Sequence, residues 1–236
     1  MTHHRPIVSL ENVSKHYNCD AQGQPIPVLR DVNLTVVPGE LVILFGPSGS
    51  GKSTILNLIA GLERPSGGEV KVSGFDLGKY DSKKLARYHR LKMGMVFQNF
   101  NLLKSLPVWE NVALPQLADN VKYRSRKKKA MRLLEQFGIA EFAKRLPSEL
   151  SGGQQQRVAI CRALANDPVM LLVDEPTGNL DTKAANEVIG ILDDLHRNHG
   201  HTIVLVTHNP EHLPIATRVI SVRDGAIVSD VAGEAR

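Results

Sequence analysis

The sequence is poor in features that would indicate a disulfide scaffold, a structural metal site or a membrane-embedded chain. Only two of its 236 residues are cysteines, Cys19 and Cys161, and they fit no metal-ligand or redox spacing, which favours a reduced, cytosolic compartment. The longest apolar runs, such as residues 41–45 and 169–173, are far shorter than the ~20 residues that a membrane-spanning helix needs. Residues 1–6 also lack the apolar region of a signal peptide. If the protein works at a membrane, we expect another chain to supply the spanning part.

The excess of positive charge is small. Lys plus Arg total 29 and Asp plus Glu total 24, which gives a net charge of +5. Such an excess permits an acidic membrane surface or nucleic acid as a partner but requires neither, and we expect no nucleic-acid partner. Residues 122–129 contain six basic side chains. A solvated entry to the helix that follows is favoured there over a contact with lipid headgroups or nucleic acid.

The chain length of 236 residues is enough for one large α/β domain with a sizeable core, and a hydrophobic content of 42% is ordinary for a globular protein. Strands are predicted at residues 7–17, 28–37, 41–45, 69–72, 169–173 and 202–207, with a final hairpin turning at residues 224–225. Helices are predicted after Lys52 as far as Gly61, over residues 125–138 and over residues 182–198, with turns at 38–39 and 65–68 and a loop at 18–27. From residue 98 to 166 the pattern is helical, which indicates a helical insertion in a strand–helix core.

The most specific motif lies between a predicted buried strand and a predicted helix. It matches G-x-x-x-x-G-K followed by Ser or Thr, the pattern of a phosphate-binding loop. Its glycines let backbone N–H groups face phosphates, and the start of the helix adds positive potential. Lys52 is expected to reach the β- and γ-phosphates, and Ser53 to offer its hydroxyl to Mg²⁺. An accidental glycine-rich turn is the alternative, which the complete match disfavours. The predicted nucleotide-binding residues are Gly46, Pro47, Ser48, Gly49, Ser50, Gly51, Lys52, Ser53 and Thr54.

Two carboxylates follow the second strongly apolar strand. Asp174, at the tip of a buried strand in a chain with a phosphate loop, can hold Mg²⁺ through water. Glu175 can face the attacking water as a general base. The alternative is an ordinary polar strand end. Taken alone, the phosphate loop and these carboxylates also fit a kinase, a GTPase or a recombinase-like ATPase.

A second motif separates these possibilities. Residues 150–154 read Leu-Ser-Gly-Gly-Gln and open a predicted helix that continues through Leu164. A serine and two glycines at the start of a helix form a second anion-binding tip. One chain does not need two such tips for one triphosphate. The economical interpretation is that the second tip serves the nucleotide of a partner chain.

With both motifs in order, the whole chain resembles the nucleotide-binding subunit of an ATP-binding cassette (ABC) transporter. The resemblance implies an α/β fold: a P-loop NTPase core with a mainly parallel sheet, an N-terminal antiparallel β subdomain and an inserted α-helical subdomain. It places residues 1–236 in one nucleotide-binding domain. The core would comprise about residues 1–97 and 167–236, and the helical subdomain about residues 98–166.

The resemblance also assigns roles to individual residues. It implies that Glu175, His208 and Gln98 take part in catalysis, and that Ser53, Gln98 and Asp174 bind the metal. Nucleotide-contacting residues outside the phosphate loop would be Tyr17, Ser151, Gly152, Gly153, Gln154 and Asp181. Tyr17 by itself fits a half-buried tyrosine at a strand end, and only the resemblance favours stacking on adenine.

ATP and Mg²⁺ are the cofactors that the resemblance implies. Two copies of the chain would meet head to tail, so that the second motif of each caps the ATP of the other. Transmembrane permease subunits would be the other partners, which places the chain peripherally at the cytoplasmic face of the inner membrane. Some apolar side chains of residues 100–112 would line the groove for a short cytoplasmic helix of the permease, and others would pack in the core.

Three stretches resemble the branch of the family that serves lipoprotein release, macrolide-type efflux and a cell-division complex: residues 93–98, 110–115 and 174–181. A regulatory ABC ATPase that signals to cell-wall enzymes would carry the same catalytic residues and stays an alternative. A cassette acting on DNA or ribosomes is disfavoured, because no coiled coil, zinc insertion or second cassette is visible. The transported substrate, the direction of transport and the role of residues 18–27 do not follow from the sequence.

Overall fold

The computed structural model describes residues 5–19, 23–117 and 120–233. The strands, in chain order, are β1 (Val8–Cys19), β2 (Pro25–Val36), β3 (Leu41–Phe45), β4 (Gly67–Val72), β5 (Phe75–Asp76), β6 (Met93–Val96), β7 (Met170–Asp174), β8 (Thr202–Thr207), β9 (Arg218–Arg223) and β10 (Ala226–Ala232). The helices are α1 (Lys52–Ala60), α2 (Ser82–Leu91), α3 (Val108–Leu117), α4 (Tyr123–Gln136), α5 (Gly152–Leu164) and α6 (Thr182–Arg197). In the described part of the chain, no helix has both the length and the apolar character needed to cross a bilayer.

The chain divides into two compact units. The first unit comprises Met1–Ala86 together with His196–Arg236, and the second comprises Arg87–Leu195. The division of the chain at residues 98–166 that the resemblance implies stays a prediction.

The first unit contains an antiparallel sheet of order β2-β1-β4-β5 and a second group of strands of order β10-β9-β3-β8. In the second group β9, β3 and β8 are parallel, and β10 pairs with β9 in the antiparallel direction. Residues 41–44 of β3 are fully buried, as the continuous apolar run predicts for a strand covered on both faces. The predicted antiparallel N-terminal strands, parallel core strands and closing hairpin are therefore confirmed.

The second unit pairs β6 with β7 in parallel; α5 packs against β6, and α3 and α4 pack against α5. Three of these helices, α3, α4 and α5, fall within residues 98–166, so the predicted helical character of that stretch is confirmed. Helix α4 begins two residues before the predicted start and buries Ala130 and Leu134, and Gly138 lies beyond its end with a left-handed φ of 66°.

One predicted turn is wrong in part. The turn assigned to residues 65–68 ends earlier, because Gly67 and Gly68 already belong to β4. At Gly68 the φ is +79°, and a Cβ there would lie 2.3 Å from the Asn12 carbonyl oxygen of the neighbouring β1. The glycine therefore marks a close approach of two strands and not a reversal of the chain. The loop predicted at residues 18–27 is also too long, because β1 continues through Cys19 and β2 already begins at Pro25. Residues 20–22 of it lie outside the described residues.

Candidate functional site

In the first unit, the phosphate loop and His208 each follow the last residue of a strand, and these two neighbouring parallel strands end side by side. Phe45, the last residue of β3, is paired with Thr207, the last residue of β8. Gly46 and His208 follow immediately, so both segments emerge at the carboxyl edge of these strands. This edge is where open α/β sheets bind ligands.

The loop between β3 and α1 is shaped around the ammonium group of Lys52. Lys52 Nζ donates hydrogen bonds of 2.8 Å to the carbonyl oxygens of Gly46 and Pro47, and the residue is 4% exposed. Gly51 adopts a φ of +102°, and a Cβ there would lie 2.7 Å from Leu29 Cδ2. Both the backbone conformation and the lack of space therefore require glycine at the start of α1.

The exposed part of the loop presents polar groups beside the N-terminus of α1. Ser48, Gly49 and Ser53 are exposed, whereas Ser50 is buried. Ser50 Oγ is buried and has no hydrogen-bond partner among the described residues. Gly51 gives α1 no side-chain cap, so the first N–H groups of the helix remain available to an anion.

Tyr17 lies near the end of β1 and is held by a polar cluster. Its hydroxyl donates to the Glu63 carboxylate, which also accepts from Asn57 Nδ2 at 3.1 Å. Lys15 Nζ lies 3.2 Å from Glu63 Oε2 and 4.8 Å from the centre of the Tyr17 ring. The ring is therefore fixed by contacts at its hydroxyl and on one face. Its role in stacking on adenine stays a prediction.

The cluster shifts the acidity of two of its members. Burial raises the pKa of Tyr17, and the hydrogen bond to Glu63 raises it further. Burial alone would raise the pKa of Glu63, but hydrogen bonds from Tyr17, Asn57 and Lys15 outweigh it and lower that pKa. Tyr17 therefore stays protonated and Glu63 stays charged around neutral pH, so the donor and acceptor of their bond are fixed.

In the second unit, Gln98 and Glu175 follow neighbouring strands in the same way. Val96, the last residue of β6, is paired with Val173 of β7, and the two functional candidates lie two residues beyond these partners. Gln98 is exposed and Glu175 is partly buried. Glu175 has a left-handed φ of 44°, which is uncommon for a residue with a long side chain. Strained backbone of this kind is concentrated at functional sites.

The segment after Glu175 packs against the Gln98 loop. A Cβ at Gly178 would lie 2.5 Å from Gln98 Nε2, so the Gln98 side chain packs directly against the glycine and leaves no room for a larger residue. Asn179 Nδ2 donates to the Gln98 carbonyl oxygen at 3.2 Å and to Asn99 Oδ1 at 2.9 Å. The two candidate segments are therefore fixed to each other within this unit.

Asp181, which the resemblance assigns to nucleotide contact, also has a structural task here. Its Oδ1 accepts a hydrogen bond of 2.8 Å from the Ala184 backbone N–H in the first turn of α6. This contact caps the start of the helix. Its contact with nucleotide stays a prediction.

The second motif forms a complete N-terminal cap for α5. Ser151 Oγ accepts from the Gln154 backbone N–H at 3.3 Å, and Gln154 Oε1 accepts from the Ser151 backbone N–H at 2.9 Å. This reciprocal pair is a capping box. Ser151 is exposed, and Gly152 lies close to Leu180, where a Cβ would be 3.0 Å from Leu180 Cδ2. Gln154 therefore stabilises its own helix in addition to any contact with nucleotide.

The residues predicted to bind the metal are all oxygen donors. Ser53 offers a hydroxyl, Asp174 a carboxylate and Gln98 an amide oxygen, and Mg²⁺ prefers such ligands alongside phosphate oxygens. Within the part of the chain that the structure describes, no group of three or more His, Cys, Asp or Glu side chains could hold a metal alone. The donor chemistry therefore fits a magnesium ion brought with the nucleotide.

Several residues of the site carry no signal in the sequence. Glu63 holds Tyr17 from 46 positions further along the chain, whereas Lys15 and His212 lie within four residues of Tyr17 and His208. Each is an ordinary charged or polar residue outside a motif. Only the structure shows that these three side chains support the candidate residues.

The second unit also has an apolar depression on α3. It is lined by Leu106, Trp109, Glu110, Ala113, Leu114, Leu117 and Arg126. Val108, Trp109 and Val112 are buried, whereas Leu103 is 48% exposed and Leu117 is 51% exposed. The apolar residues predicted within 100–112 therefore divide between the core and the surface.

Comparison with known proteins relates the chain to one family. The family model described as ABC transporter matches residues 29–178, more than half of the chain. An uncharacterised ABC transporter ATP-binding protein of Thermotoga maritima is 45% identical over 223 residues, which cover 94% of this chain and 94% of that protein. The macrolide export ATP-binding/permease protein MacB of Marinobacter nauticus is 42% identical over 231 residues. That match covers 98% of this chain but only 35% of the relative.

A solved structure agrees with the same assignment. It is a dimeric structure of a post-hydrolysis state of an ATP-binding cassette bound to ADP and Pi, with a TM-score of 0.88 and 39% sequence identity. The match covers 97% of this chain and 100% of the other. The likeness confirms the P-loop NTPase fold predicted from the sequence.

Proposed function

Because this chain belongs to the ABC transporter family and is an ATPase of that family, we propose that it is the ATP-binding subunit of a transporter. Two copies close head to tail around two ATP molecules. The observation that carries this proposal is the presence of two helix N-termini suited to anions, at α1 and at α5. One triphosphate in one chain needs only the first. The dimeric cassette bound to ADP and Pi among the similar structures supports the proposal of a nucleotide-binding dimer.

Each nucleotide is bound by the phosphate loop of one chain and capped by the other. Gly49, Gly51, Lys52 and Ser53 hold the phosphates, and Tyr17 stacks on the adenine. Ser151 and Gly153 of the opposite chain complete the shell around the γ-phosphate. ATP closes the dimer because the negative charge of its phosphates is balanced fully only when groups of both chains contact it. ATP binding therefore shifts the population of molecules toward the closed dimer.

Hydrolysis depends on side chains that face the γ-phosphate. Glu175 orients the attacking water and accepts its proton on the carboxylate. Gln98 and His208 contact the γ-phosphate and detect its loss. Ser53, Asp174 and Gln98 hold Mg²⁺, which supplies positive charge to the phosphates when bound. Loss of the γ-phosphate removes the link between the chains, and the dimer opens.

The membrane partner docks on the second unit. An apolar depression beside Arg126, with Leu106, Trp109 and Leu114 in its lining, suits a short cytoplasmic helix of a permease. Through this contact the chain lies peripherally at the cytoplasmic face of the inner membrane. We propose that ATP hydrolysis by this chain powers efflux or the handling of cell-envelope components, including lipoprotein release. The macrolide export relative supports this proposal.

The substitution Glu175→Gln tests the proposal. The variant should bind Mg-ATP, hydrolyse it at least about a hundredfold more slowly because the general base is lost, and accumulate as a closed dimer. Light scattering after size exclusion, with and without Mg-ATP, measures the dimer. Glu135→Gln, at an exposed residue of α4 outside the proposed site, is the matched control and should behave as wild type. A Glu175→Gln protein that stays monomeric in saturating Mg-ATP would contradict the proposal.

A further inference from the structure

His208 is placed by its neighbours in the chain and not by its own burial. It is exposed, and it lies between the end of β8 and a 3-10 turn at Pro210–Ile215. An exposed side chain on a short connection takes its direction from the backbone that carries it. The residues that fix that backbone therefore help to decide where the imidazole points.

Both residues adjoining His208 contact one buried histidine. Thr207 Oγ1 lies 2.9 Å from His212 Nδ1 and also accepts from the Asn209 backbone N–H at 3.1 Å. Asn209 Nδ2 lies 3.4 Å from His212 Nε2. His212 is only 4% exposed. The buried ring therefore spans the two residues on either side of His208.

The hydrogen bonds define the tautomer of His212. Asn209 Oδ1 accepts from the Glu211 backbone N–H at 3.0 Å, which turns the Asn209 amide so that its Nδ2 faces the imidazole. Since Nδ2 only donates, His212 Nε2 must accept. The ring proton then lies on Nδ1 and is donated to Thr207 Oγ1.

We propose that His212 is a positioning residue for His208: as a neutral Nδ1–H tautomer it locks Thr207 and Asn209, and so aims the exposed imidazole at the γ-phosphate. This inference rests on the role of His208 in the proposed function. In this proposal the buried His212 ring makes no contact with nucleotide. His212 acts on catalysis only through the backbone that carries His208. Loss of this lock should therefore lower the rate of hydrolysis and leave ATP affinity nearly unchanged.

Two substitutions separate positioning from packing. His212→Leu keeps an apolar side chain of similar bulk but removes both contacts. His212→Asn loses much of the bulk, but its amide nitrogen can replace Nδ1 as the donor to Thr207. We expect His212→Leu to lower kcat about ten- to a hundredfold, with KM for ATP within about twofold, because small misplacements of a catalytic group have large effects on rate. We expect His212→Asn to recover at least about half of the lost activity.

Each outcome decides the proposal. Unchanged kcat in His212→Leu overturns it, and so does an equal loss in both variants, which would indicate packing alone. If His212→Leu does not fold, the tautomer is read in the wild-type protein by long-range ¹⁵N–¹H correlation. An Nδ1–H signature supports the lock, and an Nε2–H signature overturns it. His208→Ala tests the role of His208 in the proposed function separately from the role of His212. Hydrolysis at the wild-type rate in His208→Ala would show that His208 has no catalytic role, whatever the His212 variants do.

Discussion

Helices α1 and α5 both begin beside glycines, yet their first turns are completed in different ways. The N-cap of α1 is Gly51, which supplies no side-chain hydrogen bond. The N-cap of α5 is Ser151, which forms a reciprocal capping box with Gln154. The first N–H groups of α1 are therefore available to an external anion, whereas one of the first N–H groups of α5 already donates to the Ser151 side chain.

This difference suggests a division of labour. A helix start with open donors next to a buried lysine is equipped to bind a triphosphate within one chain. A helix start that is stable by itself can remain exposed until a partner presents a nucleotide. In the proposed dimer, Ser151 would then contribute its exposed hydroxyl and the positive end of α5 to a site held mainly by the other chain. Variants at the two helices should therefore fail in different assays.

The largest expected effect is at the first helix. Lys52→Ala removes the ammonium group that we propose binds the phosphates, and we expect ATP affinity to fall by about two orders of magnitude, as for loss of a strong charge-assisted contact. Isothermal titration with ATP measures the change. Lys84→Ala removes an exposed lysine elsewhere in the same unit and should leave affinity unchanged. ATP binding by Lys52→Ala at wild-type strength would refute the assigned role of this lysine.

A smaller and different effect is expected at the second helix. Ser151→Arg places a bulky charge on the exposed tip of α5, so ATP binding by the monomer should stay within about twofold while turnover falls at least about tenfold. Steady-state ATPase assays and light scattering measure turnover and dimer closure. Ser125→Arg, at another exposed serine of the second unit, is the control. Normal hydrolysis by Ser151→Arg would end the argument that the tip acts on a partner's nucleotide.

The smallest effect concerns stability. Ser151→Ala removes the hydroxyl that caps α5 and should lower the free energy of unfolding by about 1 kcal/mol, the usual cost of a lost N-cap. Chemical denaturation of the nucleotide-free protein measures it. The loss should be absent from Ser48→Ala, because Ser48 is exposed in the loop before α1 and does not cap that helix. An equal loss in both variants would remove the contrast between the two helix starts.

Sequence patterns located the elements that have strong periodicity or clear boundaries. The bounds of β3 and β8 were predicted to the residue, because β3 is an unbroken apolar run and β8 is an apolar run with a threonine at each end, and both lie between turn residues. Helix α2 was missed because charged and polar residues fill most of its ten positions, and Tyr88 is its one buried residue. Strand β6 was missed because it has four residues, and Gly94 lies within it at a close approach to the Ala163 carbonyl oxygen.

The same reasoning explains what was found and missed in the site. The glycine motifs are read from the sequence because they combine several residues at fixed spacing. The contact of Tyr17 with Glu63 joins residues 46 positions apart, and no periodicity links them. His212 looks like any histidine in a turn until its burial and its bonds to Thr207 are known. Motifs predict which residues take part in the chemistry. The packing of the folded chain decides which other side chains hold those residues in position.

A structure of the Glu175→Gln protein with Mg-ATP tests the central claim most directly. Residues 151–153 of one chain should contact the γ-phosphate of the ATP held by residues 49–53 of the other, at two equivalent positions. If residues 151–153 instead face bulk solvent, far from any γ-phosphate, the shared site does not exist.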